Sequence, residues 1–124
     1  VNVKRSLVPV VSLAAVVLLA AGCGESRDES RPMTPGEELA RNSGCTACHG
    51  SNGEGGVGPK WQGLFGTDVK LSDGSTVVAD DAYLAESIGD PSAKARPGYG
   101  AMPPNSLNDA EIAQVVEFIK SLES

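Results

Sequence analysis

In 124 residues the sequence has a single histidine, His49, a single tryptophan, Trp61, and two methionines, Met33 and Met102. With one histidine, the chain cannot offer a second imidazole to any metal centre. Aromatic residues make up 4% of the chain, namely Trp61, Phe65, Tyr83, Tyr99 and Phe118. A domain of roughly 90 residues with so few large side chains has a thin core unless something else fills it. Basic residues are also scarce, 10 Lys plus Arg against 16 Asp plus Glu, for a net charge of −6. That balance speaks against nucleic acid as a partner, because phosphate binding needs basic patches. It favours partners with basic docking surfaces. The apolar run near the start of the chain, residues 7–21, is shorter than the ~20 residues of a membrane-spanning helix.

An uncharged stretch over residues 7–21 follows Lys4 and Arg5 and is rich in Val, Leu and Ala. A basic start, an apolar stretch of about 15 residues and a small-residue ending have the pattern of an export signal. The alternative, a permanent anchor, is disfavoured by the shortness of the run. It closes on Ala20-Ala21-Gly22-Cys23, which is similar to the lipobox of bacterial lipoproteins. That resemblance implies cleavage before Cys23 and lipidation of its thiol, giving an exported protein lipid-anchored on the outer face of the cytoplasmic membrane or in the periplasm. The expected organisation is therefore a signal peptide over residues 1–22, a lipidated cysteine with a flexible tether over 23–34, and one folded domain over 35–124. The tether is charged, lacks apolar periodicity and spans at most about 40 Å when extended.

Thr34-Pro35-Gly36-Glu37 places a capping residue, a proline at the first helical position and a glutamate three residues after the cap. This capping-box pattern predicts a helix from Pro35 to about Ala47. A second helix is expected from Asp80 to Ile88, with Asp80 as cap and Gly89 and Pro91 as stop signals. The last helix starts at Asn108, with Glu111 completing a second capping box and Leu107 and Ile112 placed to form a hydrophobic staple. Its apolar stripe is Ile112, Val115, Val116, Ile119 and Leu122. Residues 61–65 are expected to form a single turn. Between the helices, residues 69–71 and 76–78 flank Ser72-Asp73-Gly74-Ser75, the turn signal of a small hairpin. The fold class read from this pattern is all-α with a small β-hairpin insertion.

The chemistry is concentrated in Cys45-Thr46-Ala47-Cys48-His49. C-x-x-C-H is the attachment signature of c-type haem: two thiols three residues apart reach the two vinyl-bearing edges of one porphyrin, and the adjacent histidine then lies beneath the iron. A thioredoxin-like redox pair would need a strand before the motif and a helix starting at it, whereas here a helix precedes it. A structural zinc site wants four ligands, and this segment has Cys45, Cys48 and one histidine. A buried haem would also supply the missing core volume. Opposite His49, a second histidine is impossible, which leaves methionine or an open position. Met33 sits in the tether. Met102 sits in Tyr99-Gly100-Ala101-Met102-Pro103-Pro104, a loop bent by glycine and stiffened by two prolines, and is the better candidate; the plain alternative is a gap-filling core methionine.

The order helix, C-x-x-C-H, Gly58-Pro59, helix, Met102-Pro103, closing helix resembles the class I cytochromes c over nearly all of the expected domain. Gly44-Cys45-Thr46-Ala47-Cys48-His49, residues 57–66 and 71–75, Tyr83-Leu84-Ala85-Glu86-Ser87-Ile88 and Met102-Pro103-Pro104 are most similar to the cytochrome c domain of caa3-type oxidase subunit II. The chain has no room for that subunit's copper domain, so it resembles the haem domain as a separate lipoprotein. The resemblance implies one covalent haem c, with the Pro59 carbonyl on the proximal histidine and Trp61, Arg96 and Tyr99 near the haem or its propionates. Ordinary core or surface roles stay open for those three. It implies a non-enzymatic electron carrier in a respiratory chain, taking electrons from a quinol-oxidising complex and feeding a terminal oxidase. Two alternatives are a haem enzyme or gas sensor with an open sixth site, and a fixed haem subunit of a larger respiratory complex.

Overall fold

The computed structural model describes residues 31–122, which fall within the compact unit Arg31–Ser124. The expected signal segment and Cys23 lie outside the described residues. Four helices and one two-stranded antiparallel sheet follow in the order α1 (Pro35–Asn42), α2 (Thr46–His49), β1 (Asp68–Lys70), β2 (Thr76–Val78), α3 (Asp81–Gly89) and α4 (Asp109–Lys120). No helix among the described residues is long and apolar enough to cross a membrane.

The expected helix from Pro35 to Ala47 is in fact two helices. It stops at Asn42 because Gly44 turns to φ +77°, a conformation that glycine adopts at little cost. The Cys45 N–H then reaches back to the Ala40 carbonyl at 2.9 Å and the Gly44 N–H to Arg41 at 3.1 Å. These two bonds form the Schellman pattern that closes a helix. The chain restarts as the single turn of α2, which carries the cysteine motif. The start of α1 also departs in part from expectation. Thr34 Oγ accepts from the Glu37 N–H at 3.2 Å, but the Glu37 carboxylate turns inward to Arg31 at 2.9 Å and Arg41 at 3.5 Å. At 3% exposure, a carboxylate needs such partners, since a buried unpaired charge is costly.

The closing helix follows its expected pattern. Asn108 Oδ1 accepts from the N–H groups of Ala110 and Glu111, and the Glu111 carboxylate accepts from the Asn108 N–H. Such caps are worth about 1 kcal/mol. Its whole expected stripe is buried, together with Phe118. α3 begins one residue later than expected and runs to Gly89, with the Asp80 carboxylate accepting from the Tyr83 N–H at 2.8 Å. Residues 61–65 form a turn in which the Leu64 N–H bonds to the Trp61 carbonyl at 3.0 Å.

The hairpin pairs Asp68 with Val78 and Lys70 with Thr76, one residue earlier on its first strand than expected. Its turn is held by Asp73, whose carboxylate accepts from the Ser75 N–H and hydroxyl at 2.8 and 2.6 Å. Those two bonds hold the Asp73 carboxyl below the usual range.

α1 and α4 cross at Gly36, where a Cβ would stand 1.9 Å from the Gln114 carbonyl oxygen and 3.0 Å from Phe118 Cβ. Only a residue without a side chain admits this approach. α3 is tied to α4 by Lys120, whose ammonium donates to Asp81 and Glu117, each at 2.8 Å. Val69 and Leu71 of the hairpin region join the same core as Ala40, Leu84 and Ile119, so the short strands lean on the helical body. Two strands alone would be marginal.

Candidate haem site

The core opens into a cavity of about 390 Å³, within the range of small-molecule and cofactor sites. The fold gathers Cys45, Cys48, His49, Pro59, Trp61, Arg96, Tyr99 and Met102 around this one cavity. They come from α2, from the loop after it and from the segment between α3 and α4.

His49 is buried and its ring is oriented on three sides. Its Nδ1 lies 2.8 Å from the Pro59 carbonyl oxygen. A carbonyl can only accept, so Nδ1 carries the proton and donates, and Nε2 keeps the lone pair that a metal requires. Trp61 stacks on the imidazole at 4.4 Å between centroids and 18° between planes, and is itself braced by Phe118 edge-on at 6.2 Å. On the backbone side, a Cβ on Gly58 would stand 2.8 to 3.1 Å from three atoms of the imidazole, so only glycine lets the chain pass this close. Gly58 is pinned there by its N–H on the Cys48 carbonyl at 2.9 Å. Burial pushes the imidazole pKa down, more than the Pro59 bond raises it, which favours the neutral, ligating form.

Cys45 and Cys48 are half-buried free thiols on one turn, with the His49 N–H bonded to the Cys45 carbonyl at 3.1 Å. Burial pushes the Cys45 thiol up, which keeps it protonated at neutral pH. No cluster of three or more His, Cys, Asp or Glu side chains able to hold a metal ion occurs among the described residues.

Met102 is half-buried in its loop. The loop is clasped to the end of α3, where the Asn105 amide donates to the Ile88 carbonyl at 2.7 Å, and Asn105 Oδ1 accepts from the Leu107 N–H at 3.0 Å. Met33, the other methionine, is exposed and does not line the cavity. The Arg96 guanidinium lies 5.6 Å from the Tyr99 ring centroid, a cation–π distance. Tyr99 remains 41% exposed, as suits a residue at the cavity's mouth.

Among the lining residues that escaped the sequence reading are Lys94 and Ser87. Lys94 joins Arg96 as the cavity's other charged side chain, and its ammonium is paired with Glu86. In an acidic chain, a cavity whose charged lining is wholly basic suits a cofactor that carries carboxylates. Ser87 lines the cavity as well, with its hydroxyl buried and without a hydrogen-bond partner among the described residues. Its signal was the helical spacing of Tyr83, Leu84, Ser87 and Ile88, which puts a serine on α3's apolar face.

These features fit a haem: adjacent thiols, an oriented neutral imidazole, a mostly apolar cavity with a basic component, and a thioether. The family model described as Cytochrome c matches residues 33–123. Comparison with individual curated proteins gives no match. The match spans most of the chain and contains the whole cavity lining, and the four helices with their small two-stranded sheet are consistent with a class I fold. The chain belongs to the cytochrome c family, whose members bind haem c covalently and use it for electron transfer.

Proposed function

We propose that this chain is a mono-haem carrier of single electrons in a respiratory chain, whose haem would be attached through thioether bonds to Cys45 and Cys48 and whose iron would be ligated by His49 and Met102. The observation that carries the reading is the convergence of these four side chains on one cavity. When bound, haem c supplies a one-electron ferrous/ferric couple. The protein's part is to hold and tune it. Pro59 and Trp61 fix the imidazole, a bond and a stack that maintain ligand direction and basicity. The apolar walls, with Leu84, Ile88, Val115 and Ile119 among them, limit water and favour the less charged, reduced centre. Lys94 and Arg96 are the groups available to the propionates.

The same reading makes the acceptor a terminal oxidase and the donor a quinol-oxidising complex. The excess of acidic residues favours a partner with a basic electron-entry surface, because opposite charges steer encounter. Lipidated Cys23 would keep the carrier at the outer face of the membrane. Cys23→Ser should then abolish fatty-acid labelling while sparing haem; label that persists in this variant would overturn the assignment.

Met102→Ala tests the ligand set. Haem should stay attached, because its thioethers and His49 do not depend on the methionine. The ferric protein should lose its sulfur-to-iron charge-transfer absorption, and the ferrous protein should gain carbon monoxide binding. If Met33→Ala has these effects and Met102→Ala does not, the sixth ligand has been misassigned.

A further inference from the structure

The hairpin turn is held by backbone bonds of its own. The Gly74 N–H donates to the Leu71 carbonyl at 3.0 Å, and the Leu71 N–H to the Ser75 carbonyl at 2.9 Å. Among the described residues only glycines have positive φ, Gly74 among them at +87°. Ser72 and Asp73 therefore both have negative φ, which excludes types II, I′ and II′ and makes this a type I turn with Ser72 at its first central position. One donor is not spent within the hairpin. The Ser72 N–H crosses to the Ala95 carbonyl at 2.9 Å.

Ala95 stands between Lys94 and Arg96, the two cations that line the haem cavity. The segment that carries them is fixed at its start by Asp90, whose carboxylate accepts from the Ser92 N–H and hydroxyl at 3.2 and 2.6 Å. Lys94 is paired with Glu86, and Arg96 lies over Tyr99. Those last two contacts are made at the tips of long side chains. The backbone between the two cations is held by the bond from Ser72.

We infer that Ser72, through its backbone N–H, is a positioning residue of the haem site: the hairpin turn keeps Lys94 and Arg96 in place for the cofactor's carboxylates and so raises the reduction potential. This rests on the haem reading above and on those two cations serving the carboxylates. Ferrous iron carries one positive charge fewer than ferric iron, so cations held nearby favour reduction and their release favours oxidation.

The test measures the reduction potential of the haem-loaded protein with Ser72→Pro and Ser72→Ala. Proline has no N–H and is favoured at the first central position of a type I turn, so it removes the bond and keeps the turn. Alanine keeps both. Ser72→Pro should lower the potential, while Ser72→Ala should stay at the wild-type value. In Lys94→Gln/Arg96→Gln protein, whose potential should already be low, adding the proline should change little, because groups acting through one another are not additive. An unchanged potential in Ser72→Pro, an equal fall in Ser72→Ala, or an equal effect of the proline in both backgrounds would overturn the inference alone. An unchanged potential in Lys94→Gln/Arg96→Gln would overturn the role of the cations and the inference with it. Wild-type protein without covalent haem would overturn the haem reading itself. Amide hydrogen exchange of the haem-loaded wild type needs no variant: the Ser72 N–H should be protected, and exchange at the rate of a free amide would contradict the bond on which the inference stands.

Discussion

Replacing Cys45 and Cys48 together by alanine should leave the chain without covalent haem and largely without its fold. Neither thioether can form, so a denaturing gel stained for haem should show no signal at the position of the polypeptide. The structural consequence follows from the size of the cavity. At about 24 cal/mol per Å³ of unfilled volume, a cavity of about 390 Å³ costs at most about 9 kcal/mol. Entry of water lowers that figure. The stability of a typical domain is only about 5–15 kcal/mol, so the helical circular dichroism should fall sharply. Single substitution of either cysteine leaves one possible thioether and should give a weaker but visible stain. Undiminished staining of the double variant would refute the attachment.

Gly36→Ala should destabilise the haem-loaded protein, against the direction that helix propensity alone gives. Alanine is favoured over glycine in a helix by about 1 kcal/mol, and on an open helix face the substitution would raise stability. At Gly36 the added Cβ meets the Gln114 carbonyl oxygen at 1.9 Å, a backbone atom that moves only if α4 moves. Overpacking of a core costs about 1–3 kcal/mol, and here the displaced element is a helix carrying five buried side chains. Steric repulsion therefore wins. For a domain of this size, each 1 kcal/mol shifts the melting temperature by about 4–8 °C, so a net loss of about 2 kcal/mol, the upper end of overpacking less propensity, lowers it by about 8–16 °C in thermal unfolding. A melting temperature that rises would mean that α1 and α4 do not cross so closely.

Features encoded over a few adjacent residues were legible in the sequence. The cysteine motif is five consecutive residues on one turn, and α4 carries both its capping box and its apolar stripe within its own length. What depended on closure of the chain was not. Glu37 has the spacing to cap its own helix, but packing buries it between Arg31 and Arg41. Gly44 read as one residue of a continuous helix, whereas its positive φ ends α1 and frees the motif as a separate turn. Lys94 and Ser87 carry no motif; they reach the cavity because α3 and the segment after it fold over the cysteine turn. The hairpin was legible from Asp73-Gly74, but its first strand lies one residue earlier than expected, because such turn signals fix the reversal better than the strand ends.

In the proposed function, the haem iron would be held by two of this chain's own residues, His49 and Met102. Carbon monoxide added to the ferrous wild-type protein, followed by visible absorption, tests this most directly. With His49 and Met102 both bound, the spectrum should not change at neutral pH, while Met102→Ala should bind the gas. A ready shift in the wild-type spectrum, in protein shown to contain one covalent haem per chain, would contradict the electron-carrier account. It would point instead to a site built to bind ligands at an open sixth position.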